Sequence, residues 1–224
     1  MNALVIVAHP NLADSPTQQF LKQGAKLTTA KWHYLDPLQE FSPATERQLL
    51  VEAERIILQF PLYWYGAPAI LKKWQEQILS TNFVQQKLKN KQLGIVVNTG
   101  LPEKDFHSGS KVGFSVEQLL APYQALAHQA HMHWLNPLTI YQFQYLTDTQ
   151  QMQLLMDYQR YLVQPYPDTL KTRSRWYLKK MQDLSFRDEQ SSLIQNTLKQ
   201  TTAELENNLS ILAMIKAGED EVNG

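Results

Sequence analysis

The chain has 224 residues, with 21 Lys and Arg balanced by 21 Asp and Glu and 43% hydrophobic residues. This length and apolar content suit one α/β domain, alone or with an appendage. The zero net charge disfavours a nucleic-acid binder, which needs clustered basic residues. The absence of cysteine excludes disulfides, thiolate nucleophiles and Cys-ligated metals. We also expect a cytoplasmic protein, because the sequence shows neither a signal peptide nor a membrane-spanning run.

Short apolar runs alternate with helical patterns over the first 145 residues. The run Ala3–Ala8 is continuously apolar and predicts a strand buried on both faces. Further strands are predicted at 32–35, 55–60, 93–97 and 138–143, and helices start at Ser15, at Thr45, near Pro68 and near Ser115, the last ending at His128. Strands that alternate with helices predict a parallel sheet with right-handed crossovers and helices on both faces.

The composition changes beyond Asp148, where the chain becomes polar and rich in Gln. Leucines recur every seven residues at Leu198, Leu205 and Leu212, which predicts an amphipathic helix that packs on its own domain or on a partner subunit. We therefore divide the chain into a domain at residues 1–160 and a helical extension at residues 161–224. The extension is expected to act as a dimer arm, a lid over the site or a docking element.

Three loops that follow predicted strands carry the candidate chemistry, because ligands of parallel sheets bind at the carboxyl ends of the strands. Residues 9–17 bring Ser15 and Thr17 to the start of a helix, where a phosphate would bind, although Ser15 equally suits a simple helix cap. No P-loop and no GxGxxG motif is present, which disfavours a nucleoside triphosphatase and ordinary Rossmann NAD binding.

The second loop contains three consecutive aromatic residues, Tyr63, Trp64 and Tyr65, between Pro61 and Gly66. A flat heteroaromatic ligand would suit this loop, and the alternative is that the rings fill a core or a dimer interface. The third loop, residues 98–113, holds Asn98-Thr99-Gly100 and His107. His107 could supply a proton to a reacting carbonyl, or be an exposed histidine without a role.

His128, His131 and His133 lie within six residues of one another and are the candidate metal ligands. Neither helical nor strand spacing places all three on one face, and no carboxylate lies nearby in sequence to complete the set. We therefore expect no metal site, and interpret these histidines as marking the end of a helix.

The segment Gln59–Trp74, QFPLYWYGAPAILKKW, resembles the signature of the flavodoxin-like NAD(P)H:quinone oxidoreductases. This family includes the mammalian quinone reductases and the ancillary flavoproteins of glutathione-gated potassium-efflux systems. The opening ALVIVAHP resembles the family's first strand and phosphate loop, and Asn98-Thr99-Gly100 falls where the family has Thr-Thr-Gly-Gly. The resemblance covers about residues 3–145.

The resemblance implies a five-stranded flavodoxin-like sheet that binds FMN or FAD, usually in a homodimer, and transfers hydride from NAD(P)H to a quinone. Carried over by position, it assigns the phosphate and ribityl end to His9, Ser15, Thr17 and Gln18, the isoalloxazine to Pro61, Leu62, Tyr63, Trp64 and Tyr65, and the pyrimidine side to Asn98, Thr99 and Gly100. The candidate catalytic residues are Tyr65 and His107.

Two departures from the family pattern bear on the activity. Leu101 replaces the second glycine of the third motif, and Phe106 and His107 stand nearest to where mammalian members have a Tyr and a His that stabilise charge on the reduced flavin. Phenylalanine cannot donate a hydrogen bond. The alternative function is therefore a flavin-binding regulatory subunit that docks on a membrane transporter and has little turnover of its own.

Overall fold

The computed structural model describes residues 1–183 and 189–222. The chain forms two compact units, Met1–Val163 and Gln164–Gly224. The elements of the first unit are β1 (Ala3–Val7), α1 (Pro16–Lys26), β2 (Lys31–Tyr34), α2 (Pro43–Glu52), β3 (Arg55–Pro61), α3 (Ala69–Ile78), α4 (Thr81–Lys87), β4 (Gln92–Thr99), α5 (Val116–Leu119), α6 (Ala121–Gln129), β5 (His133–Trp134), β6 (Leu138–Tyr141) and α7 (Asp148–Val163).

The strands form one parallel sheet in the order β2-β1-β3-β4-β5, with β6 also paired to β4. This arrangement confirms the predicted flavodoxin-like sheet. The fifth position differs in detail, because two short strands occupy it in turn along β4. The break between them contains Pro137, which has no N–H to contribute to the ladder.

Alternating side chains of the sheet build a core on each face. Leu4 and Ile6 of β1 face the layer that contains α2, α3 and α6, whereas Val5 and Val7 face α1 and α7. Helices therefore cover both faces, as predicted. The polar loops are left at the carboxyl edge of the sheet, where a ligand has access.

Several predicted boundaries were wrong, and two of the differences have a clear backbone cause. The single helix expected from Ser115 to His128 is divided into α5 and α6 at Leu120, because Pro122 stands in the first turn of α6, where proline favours a new helix start. The fifth strand ends at Tyr141 rather than at Phe143, since Gln142 adopts a left-handed conformation (φ 46°).

The second unit contains α8 (Leu170–Asp183) and α9 (Glu189–Val222), which confirms that the C-terminal extension is helical. Arg175 of α8 pairs with Glu206 of α9. None of the described helices combines the length and apolar character needed to cross a membrane. The extension's role as an arm, lid or docking element stays a prediction.

Candidate flavin-binding site

A cleft of about 590 Å³ opens at the carboxyl edge of the sheet. It lies where the chain crosses from one side of β1 to the other, which is the usual ligand position in such a sheet. The lining residues are His9, Pro10, Asn11, Asp14, Ser15, Pro16, Thr17, Pro61, Leu62, Tyr63, Asn98, Thr99, Gly100, Gln142, Phe143, Gln144 and Tyr145. The cleft thus gathers all three predicted loops.

The N-terminus of α1 forms one end of the cleft. Ser15 caps the helix by accepting a hydrogen bond from Gln18 N–H (3.3 Å), as one interpretation of Ser15 expected. Ser15 also lines the cleft, and its role towards a phosphate stays a prediction. The Thr17 hydroxyl makes no hydrogen bond to any described residue, although Thr17 is only 7% exposed. Pro16 has no N–H, and the N–H groups of Gln18 and Gln19 already donate to Ser15. The Thr17 N–H, the Thr17 hydroxyl and the helix dipole therefore suit a phosphate group.

His9 sits beside this helix end and orients Tyr63. His9 Nδ1 accepts a hydrogen bond from Asn11 N–H (3.1 Å), so a neutral ring carries its proton on Nε2, 3.2 Å from the Tyr63 hydroxyl. Desolvation by burial lowers the pKa of His9, which favours this neutral ring. The Nε2–H then donates to Tyr63, and the hydroxyl proton of Tyr63 stays free to bind a ligand acceptor.

The aromatic loop is a tight turn in an unusual backbone conformation. Tyr63 and Gly66 exchange backbone hydrogen bonds (2.9 and 3.0 Å), and the central residues Trp64 and Tyr65 both have positive φ angles, 48° and 64°. Bulky residues rarely adopt this conformation, which costs about 1–2 kcal/mol per residue. The turn leaves the Trp64 side chain 95% exposed. Backbone strain that leaves an aromatic side chain exposed beside a cleft is typical of a ligand-binding loop.

A smaller lobe of about 420 Å³ adjoins the cleft on the side of this turn. Its lining includes Trp64, Tyr65, Leu101 and Phe106. Leu62, Thr99 and Gly100 line both spaces. His107 is outside both sets of lining residues: its ring is exposed, and its Nδ1 lies 2.9 Å from the Ser108 carbonyl oxygen. The structure therefore brings Tyr65 to the site and leaves His107 on the neighbouring loop.

Gln18 is buried beneath the cleft and does not line it. Its Nε2–H donates to Asn98 Oδ1 (3.0 Å), so Gln18 acts on the cleft through Asn98. Sequence reasoning missed the loop Gln142–Tyr145, which closes another side of the cleft. The signal for this loop is its position after the fifth predicted strand, which ends at the same sheet edge as the strands before the three candidate loops.

The three clustered histidines lie apart from the cleft. His128 is in the last turn of α6, His131 follows it with a positive φ of 52°, and His133 belongs to β5. Over residues 1–183 and 189–222, no three His, Cys, Asp or Glu side chains are grouped so that they could hold a metal ion.

The fold and the cleft together define a class: an α/β protein whose sheet edge suits a phosphorylated ligand with a planar aromatic ring. FMN fits this class, since the helix terminus suits its phosphate, the exposed aromatic turn suits its ring, and the Nδ2 group of Asn98 makes no hydrogen bond to any described residue. The chain belongs to the family described as having the flavodoxin-like fold, whose model matches residues 1–162.

Similar proteins include two that are named as NAD(P)H-dependent oxidoreductases and one that is named as an ancillary protein of a potassium-efflux system. An uncharacterized NAD(P)H oxidoreductase, YrkL, of Bacillus subtilis is 34% identical over 149 residues, which cover 63% of this chain and 86% of that protein. The glutathione-regulated potassium-efflux system ancillary protein KefG of Serratia proteamaculans is 33% identical, covering 62% of this chain and 80% of KefG. A crystal structure named as an NADPH-quinone reductase from P. pentosaceus is 40% identical, has a TM-score of 0.70, and is matched over 74% of this chain and 99% of its own.

Proposed function

We propose that the protein is a flavoenzyme that transfers hydride from NAD(P)H, through bound FMN, to a quinone or a similar flat electrophile. The observation that carries the proposal is the cleft, which the N-terminus of α1 and Tyr63 both line and which adjoins a lobe lined by the strained residues Trp64 and Tyr65. The solved NADPH-quinone reductase, at 40% identity, supports the redox class.

Different residues of the cleft and the adjoining lobe would bind different parts of FMN. Ser15 and Thr17 would bind the phosphate at the N-terminus of α1, and His9 would hold Tyr63 in place beside the ribityl chain. Pro61, Leu62, Tyr63, Trp64 and Tyr65 would contact the isoalloxazine, and Asn98, Thr99 and Gly100 its pyrimidine side. Flavin supplies the hydride chemistry, and the protein supplies placement, exclusion of water and polar groups at the ring edge.

The smaller lobe between Tyr65 and Phe106 would receive the nicotinamide and then the acceptor in turn. Its walls are Trp64, Tyr65, Leu101 and Phe106, which suit flat, largely apolar rings. Tyr65 has the one hydroxyl among these four and would donate to a reacting carbonyl oxygen. His107 would assist only if its loop moved towards this lobe.

A visible absorbance spectrum of the purified protein, taken before and after anaerobic addition of NADPH, tests this proposal. A flavin spectrum that bleaches is the expected result, followed by recovery of colour when a simple quinone is added. A colourless protein that takes up neither FMN nor FAD would refute flavin chemistry. Repeating the experiment with NADH in place of NADPH, and with FAD in place of FMN, measures the preference of the protein for each nucleotide and each flavin.

A second candidate is a flavin-binding regulatory partner of a transport system, which the KefG relative supports. The helical unit of α8 and α9 provides a surface for such a partner, with Ile211, Leu212 and Met214 exposed. Turnover separates the two functions, because a purely regulatory protein would bind flavin but reduce quinone no faster than free FMN does. A homodimer is part of either proposal and is tested by sedimentation.

A further inference from the structure

A buried row of side chains links α7 to the floor of the cleft. The Tyr158 hydroxyl lies 2.7 Å from Gln59 Oε1, Gln59 Nε2 lies 2.6 Å from Gln18 Oε1, and Gln18 Nε2 lies 3.0 Å from Asn98 Oδ1. Tyr158, Gln59 and Gln18 are fully buried, and only Asn98 reaches the cleft. Tyr158 is therefore connected to Asn98, at the cleft, only through the side-chain amides of Gln59 and Gln18.

A row of this kind has two self-consistent polarities. An amide that accepts on its oxygen from one neighbour uses its N–H₂ to donate to the next, so turning one amide requires turning all of them. In one polarity every donor points towards Asn98, whose own N–H₂ is left over for the cleft. In the other, every donor points back to Tyr158, and Asn98 presents its carbonyl oxygen instead.

Tyr158 decides between these polarities. Its hydroxyl has no hydrogen-bond partner other than Gln59 among the described residues, and its side chain is wholly buried. Burial also raises the pKa of Tyr158 well above its ordinary value, so the phenol keeps its proton. If Gln59 donated to the phenol, that proton would be buried without an acceptor, at a cost of about 1–3 kcal/mol. The phenol therefore donates, and the row runs towards Asn98.

We propose that Tyr158 is a positioning residue that makes Asn98 a hydrogen-bond donor to the flavin, with Asn98 Nδ2–H₂ directed at a carbonyl oxygen or ring nitrogen on the pyrimidine side. The proposal rests on the proposed flavin-binding function. Hydride uptake leaves an additional negative charge on that part of the ring, so a donor there binds the reduced flavin more tightly than the oxidised flavin. The row would thereby raise the flavin reduction potential from a residue that touches neither cofactor nor substrate.

The first test compares Tyr158→Phe with a matched control on the same helix. Tyr161 also buries a hydroxyl in α7, but that group accepts from Ile95 N–H (3.0 Å) and lies outside the row. We expect Y158F to weaken FMN binding about three- to tenfold, the equivalent of one neutral hydrogen bond, and to lower the two-electron midpoint potential. Y161F should reduce the stability of the protein and leave the potential unchanged. Equal potentials in wild type and Y158F, or equal shifts in both variants, would overturn the proposal.

The second test uses Asn98→Asp, which keeps an acceptor for Gln18 and replaces the N–H₂ by an oxygen. In the proposed polarity the FMN-free N98D protein should be about as stable as wild type, while its affinity for reduced FMN falls more than for oxidised FMN. In the reverse polarity N98D would remove the donor to Gln18 and destabilise the FMN-free protein. This stability measurement needs no flavin, so it tests the polarity of the row independently of FMN binding. If the wild-type protein binds no FMN, the proposed function is refuted, but the stability result still shows which way the row runs.

Discussion

Replacing Trp64 and Trp74, ten residues apart, should separate ligand binding from stability. Trp64 is 95% exposed, so Trp64→Ala removes no core packing and should change the free energy of unfolding by no more than about 0.5 kcal/mol. If the indole covers the flavin ring, the lost stacking is worth about 1–3 kcal/mol, which corresponds to an FMN dissociation constant about 5- to 150-fold higher.

Trp74 is the matched opposite. It is 1% exposed in the core under the sheet, and its Nε1–H donates to Glu46 Oε2 (2.8 Å). Trp74→Ala should cost about 3–5 kcal/mol from the cavity alone, and Trp74→Phe provides a milder variant if the alanine protein does not fold.

Urea unfolding of the FMN-free proteins and FMN titration followed by flavin fluorescence measure the two effects. Wild-type FMN affinity in W64A would refute the assignment of Trp64 to the ligand. So would a W64A protein that loses as much stability as W74F, because an exposed side chain has no packing to lose.

Three further predictions concern the core and the neighbouring loop. Burial acts to raise the pKa of Glu46, but hydrogen bonds from His33 and the Trp74 indole outweigh burial and lower this pKa. The ionised carboxylate therefore stabilises the fold above about pH 4.5, and this stabilisation is lost as the pH falls through the folded-state pKa of Glu46. Glu46→Gln should therefore be less stable than wild type by about 1–3 kcal/mol at neutral pH, and chemical denaturation should show the gap closing in acid; a constant gap would contradict the argument. A methyl group at Gly94 would lie 2.5 Å from the Tyr161 hydroxyl oxygen, whereas one at Gly100 would have no atom within 4 Å. Gly94→Ala should thus cost about 1–3 kcal/mol by overpacking and Gly100→Ala almost nothing, and equal melting temperatures would count against this packing. Because the exposed His107 ring lies outside the cleft and the lobe, His107→Ala should retain FMN with wild-type affinity. Quinone turnover should fall only if the loop of His107 moves towards the lobe during the reaction, and turnover unchanged at every pH would remove His107 from the mechanism.

The sheet and the position of the cleft could be predicted because they depend on local patterns. The continuous apolar run at Ala3–Ala8 indicated a strand buried on both faces, and the alternation of strands and helices placed the loops at one edge. The family resemblance of residues 59–74 then indicated the ligand class.

The conformations and long-range contacts at the site could not be predicted in the same way. The left-handed Trp64 and Tyr65 contradict the residue preferences of a turn that ordinarily uses Asn and Gly. The contact between Gln59 and Tyr158 joins residues 99 positions apart, and nothing in either local sequence indicates it. The distance of His107 from the cleft depends on the path of an irregular loop, for which periodicity carries no signal.

The divided strand at the fifth position has a consequence for how the protein behaves at high concentration. A sheet edge of unpaired backbone groups is a template on which another chain can add a strand, and long, flat edges promote aggregation. Here one edge consists of a two-residue and a four-residue strand with Pro137 between them, and the other is the four-residue β2, which begins with Lys31. Neither edge offers an uninterrupted strand longer than four residues. Such short edge strands disfavour edge-to-edge association of one molecule with another.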